Sequence, residues 1–143
     1  LNQILREVHE FFKANNSKLD LRLSLESVDP FIVNTDRIKL NQILTNLMGN
    51  AIKFTREGYI ELGYIKGVSI YTIYVKDTGI GIPEDKLDTI FERFVQAHTI
   101  DNEFEGTGLG LSISKLFAEI LGGKIWVKSK IGEGSTFYLS LPN

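Results

Sequence analysis

Apolar residues recur every three or four positions in three stretches of this chain, which is the spacing of a helix with one buried face. The first stretch predicts a helix over residues 1–14, and the second predicts a helix over residues 36–54. The third stretch starts at Leu109 and ends at the glycine pair 122–123, a typical helix stop. We therefore expect three long helices that each bury one side.

Alternating apolar and polar residues predict strands between these helices. The clearest alternation runs from Leu19 to Leu25. The other predicted strands are residues 31–34, 59–66, 69–77, 124–130 and 134–141. A short helix is expected at 84–92. Residues 95–108 show little periodicity and predict a long loop that is either mobile or functional. Strands that follow one another in pairs argue against a doubly wound sheet and favour an α/β (α+β) fold: a mixed sheet with helices on one face.

Composition limits the function without defining it. The chain has 143 residues, which fits one domain, and its net charge of −2 gives no electrostatic basis for binding nucleic acid or an anionic membrane. There is no cysteine, so disulfides and thiolate metal sites are excluded, and no apolar run is long enough to cross a bilayer. The sequence starts without Met inside an amphipathic pattern, so we expect a domain of a longer protein.

The motif Gly106-Thr-Gly-Leu-Gly110 runs directly into the third predicted helix. The free N–H groups of a helix start, next to glycines that let the backbone approach a ligand closely, form an anion site. The spacing of these glycines matches neither a P-loop nor a dinucleotide-binding fingerprint. The motif therefore predicts a phosphate site of another kind.

The second predicted helix carries Asn46, Asn50 and Lys53 on the face opposite its apolar residues. A solvated surface is one interpretation. However, asparagine is a mediocre helix former, and solvated faces more often carry Glu, Lys or Gln. The alternative is that the amide oxygens face a hard cation such as Mg²⁺ while the lysine faces phosphate.

Asp77 ends a predicted strand in phase with its apolar positions, so its carboxylate should point toward the core. One interpretation is a turn cap formed with Thr78 and Gly79. The other is a buried acceptor for the amino group of adenine, since an ionised carboxylate accepts hydrogen bonds and cannot donate them. In that case Gly79 and Gly81 would keep the rim of the pocket thin.

Together these motifs resemble the catalytic and ATP-binding domain of sensor histidine kinases, within the Bergerat-fold group of ATPases and kinases. Residues 46–54 resemble the N box, residues 77–83 the G1 box, residues 90–94 the F box and residues 106–111 the G2 box. The likeness covers the whole chain, and the four boxes occur in the family's order. It implies a two-layer α/β sandwich that holds ATP and Mg²⁺ between the second and third long helices.

The resemblance also implies roles for individual residues. Asn50 would bind Mg²⁺ with support from Asn46, Lys53 would contact phosphates, and Asp77 would bind the adenine amino group beside Gly79 and Gly81. Residues 95–108 would form the ATP lid, held by Phe91 and Phe94. The residues approaching the phosphates would be Gly106, Thr107, Gly108, Leu109 and Gly110. Thr136 matches a position near the base, although an ordinary strand residue is an equal interpretation.

Two departures from the family pattern are visible. Gln96 stands where many members have an arginine for the γ-phosphate, a variant associated with hybrid kinases, and Arg93 is the nearby alternative cation or a plain surface residue. The phosphoacceptor histidine motif is absent: His9 has the context of an ordinary helix residue, and His98 has no carboxylates or cysteines that suggest a metal site.

The resemblance therefore implies a protein-histidine kinase domain whose acceptor histidine lies on a separate dimerisation and phosphotransfer domain. We expect a cytoplasmic domain without direct membrane contact. The whole protein is expected to be a homodimer that signals to a response regulator, and many relatives are anchored in the inner membrane. ATP-hydrolysing members of the fold have a glutamate at the position of Asn46, where it can activate water. Because asparagine is a poor base, this position favours a kinase over a hydrolase. The alternatives are an anti-sigma-type protein-serine kinase and a non-catalytic nucleotide-binding module.

Overall fold

A computed structural model describes residues 1–27, 29–95 and 109–143 of the chain. The helices are α1 (Asn2–Asn15), α2 (Arg37–Phe54) and α3 (Gly110–Ile120). The strands are β1 (Asp20–Ser24), β2 (Tyr59–Lys66), β3 (Ile70–Asp77), β4 (Lys124–Lys130) and β5 (Gly134–Pro142). They form one sheet in the order β1-β2-β3-β5-β4, in which β1 and β2 are parallel and the other neighbours are antiparallel. The predicted mixed sheet is confirmed.

The core lies between the helices and one face of this sheet. Alternate residues of β3 are buried while their neighbours are partly or fully exposed, so the strand has one core face. The buried side of α2 joins the same cluster through Leu44, Leu47 and Met48, each at most 1% exposed. Burial of such side chains stabilises the fold by about 1.5–3 kcal/mol each. The result is the predicted two-layer α/β arrangement.

The start of α2 is fixed by its capping residue. The side chain of Asp36 accepts hydrogen bonds from the backbone N–H groups of Ile38 and Lys39, both at 3.0 Å. Such a cap satisfies donors that have no partner inside the helix and contributes about 1 kcal/mol. The cap therefore fixes where α2 begins.

The predicted strand at 31–34 is wrong, because these residues form no regular structure. They pair with no strand, and β1 remains the edge of the sheet. The ring of Phe31 instead stacks on Tyr64 at 5.6 Å and meets the edge of Tyr71 at 5.5 Å between centroids. The segment contributes apolar side chains to the core without extending the sheet.

The predicted helix at 84–92 is also wrong, because these residues form no α-helix. A single 3₁₀ turn spans Glu84–Lys86, and turns follow it. Helix nucleation is costly, and so short a segment gains little from propagation. The turns still direct Leu87, Ile90 and Phe91 against the core.

Candidate functional site

Asp77 lies at the end of β3 with only 5% of its surface exposed. Its Oδ1 accepts hydrogen bonds from the backbone N–H groups of Gly79 at 2.9 Å and Ser135 at 3.2 Å. Burial raises the pKa of the Asp77 carboxyl, and these two N–H groups partly offset that rise. The carboxylate therefore caps the turn at Gly79 and is buried on the core face, as expected from the sequence, while its binding of adenine stays a prediction.

Two hydroxyl residues lie beside this carboxylate that sequence reasoning missed. Ser135 pairs with Asp77 across β3 and β5 and is 7% exposed. Thr55, directly after α2, buries its Oγ1 without a hydrogen-bond partner among the described residues. A Cβ atom placed on Gly79 would lie 2.8 Å from Thr55 Oγ1 and 2.9 Å from Asp77 Oδ1, so the hydroxyl of Thr55 and the carboxylate lie on either side of one point of the backbone.

Thr136 faces the other way. Successive strand residues point to opposite faces, and Ser135 shares the face of Asp77. The strand interpretation of Thr136 is therefore the correct one, and the hydroxyl near the carboxylate belongs to its neighbour. Counting the register of the two strands from Asp77 would have identified Ser135.

The glycines after Asp77 allow backbone segments to touch. A Cβ on Gly79 would lie 2.2 Å from the carbonyl oxygen of Phe54, at the end of α2. The next residue, Ile80, donates its N–H to that same carbonyl at 3.1 Å. The loop after β3 is therefore in direct contact with α2, which brings the buried carboxylate close to the polar face of that helix.

Asn46 connects α2 to the start of α3. Its Nδ2 donates to Ser114 Oγ at 2.9 Å. A Cβ on Gly110, the first residue of α3, would lie 2.2 Å from Asn46 Oδ1, so the glycine leaves room for the amide. No side chain caps this helix start among the described residues. The structure thus places Asn46, Leu109 and Gly110 together.

Asn50 lies one turn further along α2 than Asn46 and is half-buried. Its amide makes no hydrogen bond to any residue in the described part of the chain, whereas the amide of Asn46 does. Lys53 follows on the same face, with its Nζ 5.2 Å from the centre of the Phe54 ring. An amide oxygen is a ligand that Mg²⁺ accepts, so this face fits such an ion.

A metal ion here would need ligands from outside the chain. No group of three His, Cys, Asp or Glu side chains able to hold a metal occurs within the ranges that the structure covers. Mg²⁺ typically keeps several waters and takes one or two protein ligands together with substrate phosphates. The donor set around Asn50 agrees with that mode of binding.

The F-box residues differ in their packing. Phe91 is partly buried against the core, and its ring meets Phe137 at 6.2 Å between centroids. Phe94 is 75% exposed and has a φ of 62°, and its role in holding residues 95–108 stays a prediction because that segment lies almost entirely outside the described residues. Arg93 is exposed. Of the two F-box phenylalanines, Phe91 is therefore the one that packs against the core.

Most of the predicted lid lies outside the described residues. This applies to Gln96, His98, Gly106, Thr107 and Gly108, whose roles stay predictions.

His9 is structural, as predicted. It is 5% exposed, and its Nε2 donates to the carbonyl oxygen of Leu21 at 3.0 Å.

None of the helices in the described ranges combines the length and apolarity that crossing a bilayer requires.

Comparison with known families gives one match over most of the chain. Residues 35–143 match the family described as "Histidine kinase-, DNA gyrase B-, and HSP90-like ATPase". The matched range contains α2, Asp77 and α3, and therefore every described element of the site.

Individual relatives agree with this match. The autoinducer 2 sensor kinase/phosphatase LuxQ of Vibrio vulnificus is 50% identical over 117 residues, which cover 77% of this chain and 14% of that protein. Full-length ShkA in complex with AMPPNP has a TM-score of 0.85 at 33% identity, over 99% of this chain and 29% of that one. A nucleotide-free catalytic domain of the histidine kinase ThkA has a TM-score of 0.84 at 31% identity, over 99% of this chain and 92% of that one.

Proposed function

We propose that this chain binds Mg-ATP and that the γ-phosphate of this ATP is transferred to a histidine. The chain belongs to the histidine kinase-, DNA gyrase B- and HSP90-like ATPase family, and within that family to the catalytic domains of sensor histidine kinases. The observation that carries this proposal is the buried, doubly hydrogen-bonded carboxylate of Asp77. In this proposal the 143 residues are one domain of a larger kinase, and residues 95–108 are its ATP lid.

Asp77 would recognise the base. Its Oδ1 is occupied by two backbone N–H groups, which leaves Oδ2 to accept a hydrogen bond from an exocyclic amino group. Adenine has such a group at its sixth position, whereas guanine has a carbonyl there that a carboxylate cannot bind. The fixed carboxylate therefore favours ATP. The AMPPNP bound by ShkA, a relative of the same fold, is an adenine nucleotide and supports this choice.

The polar face of α2 and the start of α3 would hold the triphosphate. Asn50 would supply the protein ligand for Mg²⁺ and Lys53 a cation for phosphate. The start of α3, at Leu109 and Gly110, has no side-chain cap among the described residues and would add backbone N–H groups. When bound, Mg²⁺ would neutralise charge that develops on the phosphoryl oxygens. Arg93 is the candidate for a further cation near the γ-phosphate, and Gly106, Thr107 and Gly108 would complete the phosphate contacts.

Asn46 supports a kinase over a hydrolase. An amide cannot remove a proton from water, and the amide of Asn46 is also hydrogen-bonded to Ser114. Positioning and charge neutralisation are what phosphoryl transfer needs from a protein, and a nucleophile supplied by another domain makes a protein base for water unnecessary.

The nucleophile would be an imidazole on a separate helical dimerisation and phosphotransfer domain. The chain spans only 14% of the length of LuxQ and 29% of the ShkA chain, which leaves room for such a domain in proteins of this kind. The whole protein would be a homodimer that passes its phosphate to a response regulator.

The test supplies the missing acceptor. The purified chain is incubated with Mg-[γ-³²P]ATP and a histidine-containing hairpin domain from a related sensor kinase, with the chain alone as a control. We expect acid-labile, base-stable label on the hairpin and none on the chain alone. Acid-stable label on serine, or ATP hydrolysis without transfer, would contradict the proposal.

A further inference from the structure

Ser129, on β4, makes contacts that the proposed function does not use. Its Oγ accepts a hydrogen bond from the backbone N–H of Ile82 at 2.8 Å. It also lies 2.9 Å from the carbonyl oxygen of Gly134 and 2.8 Å from Ser135 Oγ. A hydroxyl has one donor and two acceptor sites, so donation to Gly134 and acceptance from the other two partners uses all three.

These partners belong to two separate segments. Ile82 ends the loop that follows Asp77, whereas Gly134 and Ser135 begin β5. The segments touch elsewhere too, because Gly132 N–H donates to the carbonyl oxygen of Ile80 at 2.9 Å. Apart from Asp77 itself, Ser129 has a side chain that hydrogen-bonds to both segments.

Each segment supplies one of the two donors that hold Asp77. Gly79 N–H comes from the loop that Ile82 ends, and Ser135 N–H comes from the strand start that Ser129 contacts. A shift of either segment would rotate the carboxylate. Because Oδ1 accepts both N–H groups, such a rotation would misdirect Oδ2.

We propose that Ser129 is a positioning residue for base recognition: it joins the two segments whose N–H groups orient Asp77. This inference rests on the proposed role of Asp77 and adds a determinant of nucleotide selectivity that does not contact the nucleotide. The side chain acts through hydrogen bonds alone, so its hydroxyl and not its volume is the essential feature.

The test compares Ser129→Ala with Ser129→Thr, measuring dissociation constants for ATP and for ITP, which replaces the amino group by a carbonyl. Loss of one orienting group should weaken ATP binding by about 10-fold. Binding of ITP, which makes no amino contact, should change by less than about 2-fold. Ser129→Thr should keep the wild-type preference for ATP because it retains the hydroxyl.

Ser140→Ala is the matched control. Ser140 lies on the opposite face of β5, and its Oγ has only a long contact of 3.5 Å to the carbonyl oxygen of Lys124. It should leave both dissociation constants unchanged. If Ser129→Ala does not fold, Ser129→Cys replaces it, since a thiol of similar shape is a weak hydrogen-bonding group and should lower the preference for ATP.

Equal losses for ATP and ITP would overturn the inference, because a merely structural role lowers the folded fraction for both ligands alike. An unchanged preference in Ser129→Ala, or a loss in Ser129→Thr equal to that in Ser129→Ala, would overturn it too. If the wild-type chain itself does not distinguish ATP from ITP, the role of Asp77 fails first, and that result needs no Ser129 variant.

Discussion

Replacing Asp77 by asparagine tests the base site directly, because the change removes a charge and keeps the shape. The oxygen of the new amide can accept the N–H groups of Gly79 and Ser135, which now lie 2.9 and 3.2 Å from Asp77 Oδ1. This arrangement places the amide NH₂ where Oδ2 was. Two donors then face each other at the adenine amino group, and no hydrogen bond forms.

The expected loss follows from the chemistry of the missing bond. A hydrogen bond to a charged group contributes about 1.5–3 kcal/mol, so ATP affinity should fall by about 10- to 100-fold. Binding of ITP should improve relative to ATP, because the NH₂ can donate to its carbonyl. Folding should not suffer, since burial raises the pKa of the Asp77 carboxyl and a neutral amide avoids that cost.

Titration calorimetry with ATP and ITP on both proteins measures this change, and thermal unfolding verifies the fold. Asp88→Asn is the matched control, because Asp88 is exposed in the turns after the 3₁₀ helix and should leave binding unchanged. Equal ATP affinity in the wild type and Asp77→Asn, with both proteins folded, would refute the assignment of the base site.

Three further predictions use the same assays. Asn50→Ala should abolish the difference in ATP affinity between solutions with Mg²⁺ and with EDTA; a retained difference would place the metal elsewhere. Gly110→Ala should lower stability by about 1–2 kcal/mol, because its Cβ would lie 2.2 Å from Asn46 Oδ1, whereas Gly49→Ala, with nothing within 4 Å, should raise stability by up to about 1 kcal/mol. Thermal unfolding of the two variants measures this contrast, and equal shifts would contradict it. Because burial raises the pKa of Asp77, its carboxyl takes up a proton at a higher pH than an ordinary aspartate does, so ATP affinity should fall as pH is lowered through that raised pKa, beyond the decline seen for ITP. Without ATP, ionisation of the buried Asp77 carboxyl opposes folding. The free energy of unfolding of the wild type, relative to that of Asp77→Asn, should therefore decline as pH rises through the same range. A difference that does not change with pH would refute burial as the cause of the raised pKa.

The sequence was sufficient for the parts of the fold that periodicity controls. The α2 helix has a clear apolar face and an aspartate cap, and its observed range, Arg37–Phe54, begins one residue after the predicted range of 36–54. The strands around Asp77 were predicted because their alternation has one core face. Periodicity failed at 31–34 and 84–92, where packing of aromatic and apolar side chains, and not backbone pairing, determines the conformation.

The site was predicted where a residue is unusual for its own element, and missed where only the pairing of strands gives it a role. Asparagines in a helix and a core-facing aspartate stand out in one sequence. Ser135 and Ser129 do not, because serine is a common residue and their roles depend on the register between β3, β5 and β4. Thr55 gives no signal until the end of α2 and the loop at Gly79 are seen in contact.

The bond between Asn46 and Ser114 has a consequence for how a ligand would be received. It joins α2, the helix proposed to hold the metal ion, to α3, the helix proposed to meet the phosphates, so the relative placement of the two helices is set in the folded chain. Bringing these two helices together then adds no entropic cost to nucleotide binding.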